Sequence, residues 1–235
     1  MLLRSQIDCR GVDKDGKDIV FEIKTRAAAV IRYDIENYID YLGYQIIKKI
    51  GKHSSFEREY YDLIRGGFLK YIMQWKIGRM DGAFVVYHNT QKVFGFEYIT
   101  LKEMEERVFG CTEYSDQVFQ AGLTLIENIL EHILKEVGED PDQVLKLGFY
   151  ANESSKTVDV FWEILPDEKE YKENIKNASF DYTSEPIDYY NSLKIKPKVI
   201  KFCVGVYPII NGIELDYSPI LYEKGDYLNV SNAII

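Results

Sequence analysis

Two short segments near the start of the chain, residues 5–9 and 21–25, read as the strands of a β-hairpin, and this hairpin constrains the fold more than any other feature. Strand side chains repeat every second residue. Leu3, Ile7 and Cys9 therefore share one face, and Arg4, Gln6 and Asp8 the other. In the second segment Ile19, Phe21 and Ile23 share a face opposite Glu22, Lys24 and Arg26. The intervening Asp13-Lys14-Asp15-Gly16-Lys17 reads as a tight loop with its glycine in the left-handed position. Centring the loop on Asp15 places Asp8 directly across from Glu22, on one face of the ladder.

Opposed carboxylates repel unless a positive charge lies between them. Lys24 or a bound divalent cation would relieve that repulsion, and two carboxylates with an ammonium are a chemistry suited to a metal beside a scissile phosphate. The same spacing is also that of an ordinary solvated strand face. Spacing alone leaves both readings open.

The chain has 235 residues, enough for one large α/β domain or a core with an added lobe. Its 19 Tyr against 6 Pro argue against a disordered chain. No apolar run reaches bilayer length. Cys9, Cys111 and Cys203 are far apart and show neither a disulfide framework nor a zinc-knuckle spacing. The three histidines are likewise isolated, so a zinc site is not expected.

The net charge of −9 is unevenly distributed. Residues 1–90 carry 15 Lys+Arg against 12 Asp+Glu, whereas residues 91–235 carry 14 against 26. Phosphate contacts are therefore expected in the first part and not in the second.

Periodicity predicts a short helix over about 35–47, then a helix over about 56–77 opened by a capping box of Ser54 and Glu57. On that long helix Gln74 falls on the inward side, where its amide needs a partner. Such a partner is a backbone group, an active-site water or a substrate atom. Strands are expected at 83–87 and 93–98, helices at 101–108 and 116–137, and a second hairpin at 144–151 and 157–164. The charged stretch 166–197 reads as a long loop or linker, and 198–235 as a β-rich C-terminal extension with a turn at Asn211-Gly212.

A hairpin carrying Asp, then Glu-x-Lys, then helix and strand, resembles the core of the PD-(D/E)XK nuclease superfamily. More closely, stretches from Leu2 to Cys9, Phe21 to Ala27, Ile31 to Asp34, Ser55 to Tyr61 and Ile77 to Gly82, followed by Tyr87-His88-Asn89-Thr90 and Phe94-Gly95-Phe96, resemble a fungal mitochondrial RNA-processing and degradation family placed within it. The resemblance covers roughly residues 2–110.

It implies an α/β (α+β) restriction-endonuclease-like core with a mixed central sheet flanked by helices. Residues 1–110 would form the core, incomplete at its N-terminus, and 111–165 would continue it. The implied activity is a 5′-to-3′ exoribonuclease using Mg²⁺ or Mn²⁺ on single-stranded RNA, with a mitochondrial location and a mitochondrial RNA degradation complex as partner. Asp8 and Glu22 would be metal ligands, joined by the Ile23 carbonyl, and Lys24 would position water or stabilise phosphate charge. Gln74 matches the helix glutamine of exonuclease-like branches. Arg4, Gln6, Arg26, Arg58, Arg65 and Arg79 are the corresponding RNA-binding candidates. Superfamily members commonly take a further acidic ligand from a helix before the first core strand, which this sequence does not contain. The chain is therefore expected to be a C-terminal piece of a longer protein. A non-catalytic RNA-binding or scaffold protein retaining the fold is the main alternative, and a structural partner-binding protein built on the acidic second half is a third.

Overall fold

The computed structural model describes residues 3–138, 144–152, 155, 157–165, 199–215 and 228–234. They form a mixed α+β chain of two compact units, Met1–Gln120 and Ala121–Ile235. Among them no helix is long and apolar enough to cross a membrane.

The first unit is built on the hairpin. β1 (Cys9–Val12) pairs antiparallel with β2 (Asp18–Ala27), with Cys9 opposite Phe21 and Val12 opposite Asp18. The turn is the expected one. Asp13 Oδ1 accepts from the amides of Asp15 and Lys17 at 2.9 Å each, and Gly16 takes φ +80°. The ladder starts later than expected, at Cys9 rather than residue 5. One step beyond it, Asp8 gives its side chain to the Ile23 amide at 3.3 Å, in place of a backbone acceptor. Residues 3–7 accordingly leave the sheet.

Between β2 and β3 (Gly82–His88), which run parallel, the chain differs from expectation twice. The helix expected over 35–47 is absent. In its place are a five-residue α1 (Ala29–Tyr33) and a single 3₁₀ turn, Tyr38–Tyr41. Asp34 takes hydrogen bonds from Asn37 and Tyr41, and Asn89 Nδ2 claims the Leu42 and Tyr44 carbonyls. These are backbone and turn groups a helix would need for itself.

The helix expected over 56–77 is two helices, α2 (Phe56–Gly66) and α3 (Phe68–Gly78). They part at Gly66-Gly67, where adjacent glycines have the highest backbone freedom to lose. A Cβ on Gly67 would meet Leu63 Cδ1 at 2.7 Å, so any larger residue there would have to displace the buried Leu63 side chain. The cap is Ser55, which accepts from the Arg58 amide at 3.1 Å. Ser54 precedes it at φ +52°, and Glu57 turns to the Gly51 amide.

β4 (Val93–Thr100) pairs antiparallel with β3 and leads through the Thr100 cap into α4 (Leu101–Phe109), giving the order β1-β2-β3-β4. Leu63, Phe68, Ile72 and Trp75 from α2 and α3 bury against Ala83, Val85, Tyr87 and Ile99 of the sheet and Met104 of α4. Because Glu22 and Lys24 are in register with Ala83 and Val85, the charged face of β2 is the inner one. Ile23 points the other way and is 47% exposed, beside an aromatic cluster of Phe21, Phe84, Phe96 and Tyr98. The usual hydrophobic-in, polar-out arrangement is reversed here.

α5 (Thr112–Val137) is followed by an antiparallel sheet of β5 (Val144–Asn152), β6 (Thr157–Leu165), β7 (Ile200–Ile210) and β8 (Ile213–Glu214), with β9 (Leu228–Ile234) on β7. Ile129 and Ile133 of α5 pack on Val160, Trp162 and Val204. Asn211 and Gly212, at φ +51° and +82°, make the expected tight turn. The loop expected over 166–197 lies outside the described residues.

Candidate functional site

Glu22 is the centre of the site. It sits on the helix-facing side of β2 and is 5% exposed. Its Oε1 accepts twice, from Lys24 Nζ at 2.5 Å and from Gln74 Nε2 at 3.0 Å. Its Oε2 is buried with no hydrogen-bond partner among the described residues. A buried carboxylate oxygen without a donor is costly, and a bound cation is one arrangement that would relieve it.

Lys24 is held by more than the ion pair. Its Nζ lies 5.9 Å from the centre of the Tyr71 ring, which stacks on Trp75. Tyr71 and Gln74 are three apart on α3, so one face of that helix delivers the ring to Lys24 and the amide to Glu22. Lys24 keeps partial access to solvent, with 23% of its side chain exposed. Asp8 is exposed and fastened to the Ile23 amide, on the backbone next to Glu22. The structure thus joins Glu22, Lys24 and Gln74 directly and ties Asp8 to the neighbouring Ile23 amide. Among the described residues no group of three or more His, Cys, Asp or Glu could hold a metal. The ligands on offer are the orphaned Glu22 oxygen, Asp8 and the Ile23 carbonyl, a hard all-oxygen set that fits Mg²⁺ or Mn²⁺, ions that keep several waters.

The arginines go to different places. Arg26, on the same face of β2, is half-buried and donates through one Nη to Asp62 Oδ2 at 2.9 Å, while its Nε has no hydrogen-bond partner among the described residues. Arg4 and Gln6 are exposed in the segment before β1. Arg58 and Arg65 are exposed on α2, Arg65 with its guanidinium 5.7 Å from the Tyr61 ring centre. Arg79 is the left-handed C-cap of α3 at φ +50°.

Sequence reading missed a second buried charge cluster. Asp62 accepts from Arg26, Arg32 and Tyr33. One turn earlier, the fully buried Glu59 accepts the Ala29 amide on both oxygens, at 3.0 and 2.9 Å. Burial works to raise the Asp62 carboxyl, but the bonds from Tyr33 and Arg32 outweigh it and hold it below the usual range. Burial pushes Glu59 up, against the Ala29 amide and Arg32. The signal available was Glu59 and Asp62 at helical spacing beside an apolar stripe.

A four-stranded mixed sheet with helices over an inward-facing Glu-x-Lys defines an α+β chain with a buried acid–ammonium site. The particular family follows from comparison. A family model described as mitochondrial protein Pet127 matches residues 1–131, and the chain belongs to that family. Its localisation is mitochondrial. A Schizosaccharomyces pombe protein named mRNA degradation protein pet127, mitochondrial, is 40% identical over 134 residues, covering 56% of this chain and 25% of the relative. A Saccharomyces cerevisiae protein, PET127, named for the mitochondrial translation system, is 47% identical over 107 residues, 44% of this chain and 13% of the relative. The chain thus matches a quarter or less of the length of these relatives. No solved structure matches it.

Proposed function

We propose that the first unit is the core of a PD-(D/E)XK-type nuclease that hydrolyses single-stranded RNA from its 5′ end, within mitochondrial RNA processing and degradation. The observation that carries this reading is Glu22: buried, paired on one oxygen by Lys24 and Gln74, and left without a donor on the other. The name of the Schizosaccharomyces pombe relative supports RNA degradation as the process.

On this reading Asp8, Glu22 and the Ile23 carbonyl hold Mg²⁺ or Mn²⁺. When bound, the ion acidifies a water and offsets charge on the phosphate. Lys24, part-exposed, would then donate to the phosphate oxygens or position the attacking water, giving up its Glu22 contact to do so. Gln74 is a positioning residue. By donating to Oε1 it fixes the Glu22 rotamer so that Oε2 is the oxygen left for a ligand. The test is cleavage of 5′-monophosphorylated RNA by the chain in Mg²⁺, stopped by EDTA and absent from the Glu22→Gln protein. Degradation that persists undiminished in a Glu22→Ala, Lys24→Ala double variant would overturn the proposal.

A second reading, a non-catalytic RNA-binding scaffold of the degradation machinery, is favoured by one observation. Among the described residues no group of three or more His, Cys, Asp or Glu is gathered to hold a cation. RNA binding by the chain without cleavage in either metal would select it.

A further inference from the structure

The outer face of α2, together with Tyr33 at the end of α1, carries exposed rings interleaved with cations. Arg58, Tyr61 and Arg65 lie three and then four residues apart, which places them on one outer stripe of α2. Tyr61 is 53% exposed and Tyr33, beside it on α1, 70% exposed. Each ring already carries a guanidinium near its face, Arg65 at 5.7 Å and Arg32 at 5.8 Å. Next to this stripe is a cavity of about 120 Å³ whose lining includes Tyr33, Tyr44, His53, Ser54, Arg58 and the buried Glu59 carboxyl. That is roughly ten times the space that admits one water. The loop that leads into it supplies Lys48, Lys49 and Lys52.

A groove with rings for stacking and cations for phosphate is the chemistry of single-strand recognition, because every base offers a π-face. The placement fits as well. Arg26, which holds Asp62 beneath Tyr33, lies four residues along β2 from Glu22, or about 13 Å at strand rise. A few nucleotides bridge that span.

We propose that Tyr33, the outer stripe of α2 and the adjoining cavity form a single-stranded RNA subsite. One base stacks on Tyr33 at the cavity mouth, and Arg58 and Arg65 meet the flanking phosphates. The choice of RNA rests on the nuclease reading; the subsite gives that reading a path for the strand. Ile35, Ile39, Ile47 and Ile50 are also exposed nearby, which is the feature a protein partner would use instead. The interleaved cations and the ring-sized cavity favour RNA over it.

Binding of a 5′-fluorescein oligouridine 12-mer to the full chain in EDTA, read by fluorescence anisotropy, tests this without cleavage. Tyr33→Ala is expected to weaken binding about tenfold, the loss of one stacked base. Tyr33→Phe keeps the ring while losing the Asp62 hydrogen bond, and is expected to bind within about twofold of wild type, separating stacking from folding. An Arg58→Ala, Arg65→Ala double variant should flatten the salt dependence of log affinity by about 1.4, the share of two phosphate contacts. Unchanged affinity in Tyr33→Ala with an unchanged salt slope in the double variant overturns the subsite and leaves the surface to a protein. The nuclease reading fails separately. If the wild type does not cleave in Mg²⁺ while Tyr33→Ala still loses affinity, the subsite stands and catalysis falls.

Discussion

Glu22 on β2 and Asp62 on α2 are both buried carboxylates, and their surroundings are opposites. Asp62 is saturated: Tyr33 donates to one oxygen, and Arg26 and Arg32 to the other. Glu22 receives both of its donors on a single oxygen, and the second oxygen is buried bare. A folding role explains the first arrangement, since a buried charge is tolerated when its lone pairs are satisfied. It does not explain the second, which leaves cost in place that a simple substitution would remove. Glu163 also keeps one buried oxygen without a hydrogen-bond partner among the described residues, beside a lysine-paired one, and Arg26 Nε is likewise buried without a partner. What sets Glu22 apart is that Lys24 and Gln74 converge on its other oxygen while Asp8 is tied to the next amide.

The sharpest way to break this contrast is to neutralise each carboxylate. Glu22→Gln should lower RNA cleavage by about 10³-fold, within the range for loss of a metal-holding or proton-handling group. Its thermal stability without metal should be unchanged or higher, because the orphaned charge goes. Asp62→Ala should do the reverse, destabilising the first unit by about 3–5 kcal/mol as Arg26 and Arg32 lose their shared partner in the interior. Parallel urea melts and cleavage rates read both. A Glu22→Gln protein that is as badly destabilised as Asp62→Ala would show that the two carboxylates do the same work.

Two smaller effects sharpen it. Mg²⁺ at a hundred times its dissociation constant should stabilise the wild type by about 2.7 kcal/mol and leave Glu22→Gln unmoved. A shift of equal size in both would place the cation elsewhere. Gln74→Ala removes only the bond that orients Glu22, and should cost about 10–100-fold in metal affinity or rate. Gln74→Glu, which sets a second carboxylate against Oε1, should not rescue it.

The parts of the fold that local chemistry specifies were readable from sequence. The Asp13–Gly16 loop sets the hairpin register, and the register puts Asp8 beside Glu22. Gln74 was legible as an inward amide from helical spacing, although the helix used to place it is broken at Gly66-Gly67. What was not legible depends on distant partners. The 35–47 segment has helical periodicity, yet Asn89, more than 40 residues away, takes two of its carbonyls. The Asp62 cluster draws on β2, α1 and α2 at once, and no window of sequence contains all three. That β2 turns its charged face inward follows from its parallel register with β3, which alternation alone does not reveal.

The smallest effect is a dependence of stability on acidity, with opposite signs for Glu59 and Asp62, the two buried carboxylates of α2. Asp62 is held below the usual carboxylate value of 3.8, so the unfolded chain binds the proton more tightly than the folded one. Its contribution is complete above that value and is lost as pH falls through the depressed folded value. Glu59 is raised above 4.5 by burial, so there the folded chain holds the proton more tightly. Its contribution declines as pH rises from 4.5 through the raised folded value. Urea midpoints between pH 2 and 7 should therefore rise, then fall back slightly, across the acidic range. Asp62→Asn should flatten the rising limb and Glu59→Gln the falling one, each measured as a difference from wild type so that other titrating groups cancel. If Asp62→Asn left the rising limb intact, the saturated carboxylate would not be what ties α1 and β2 to α2. The contrast with Glu22 would then rest on the orphaned oxygen alone.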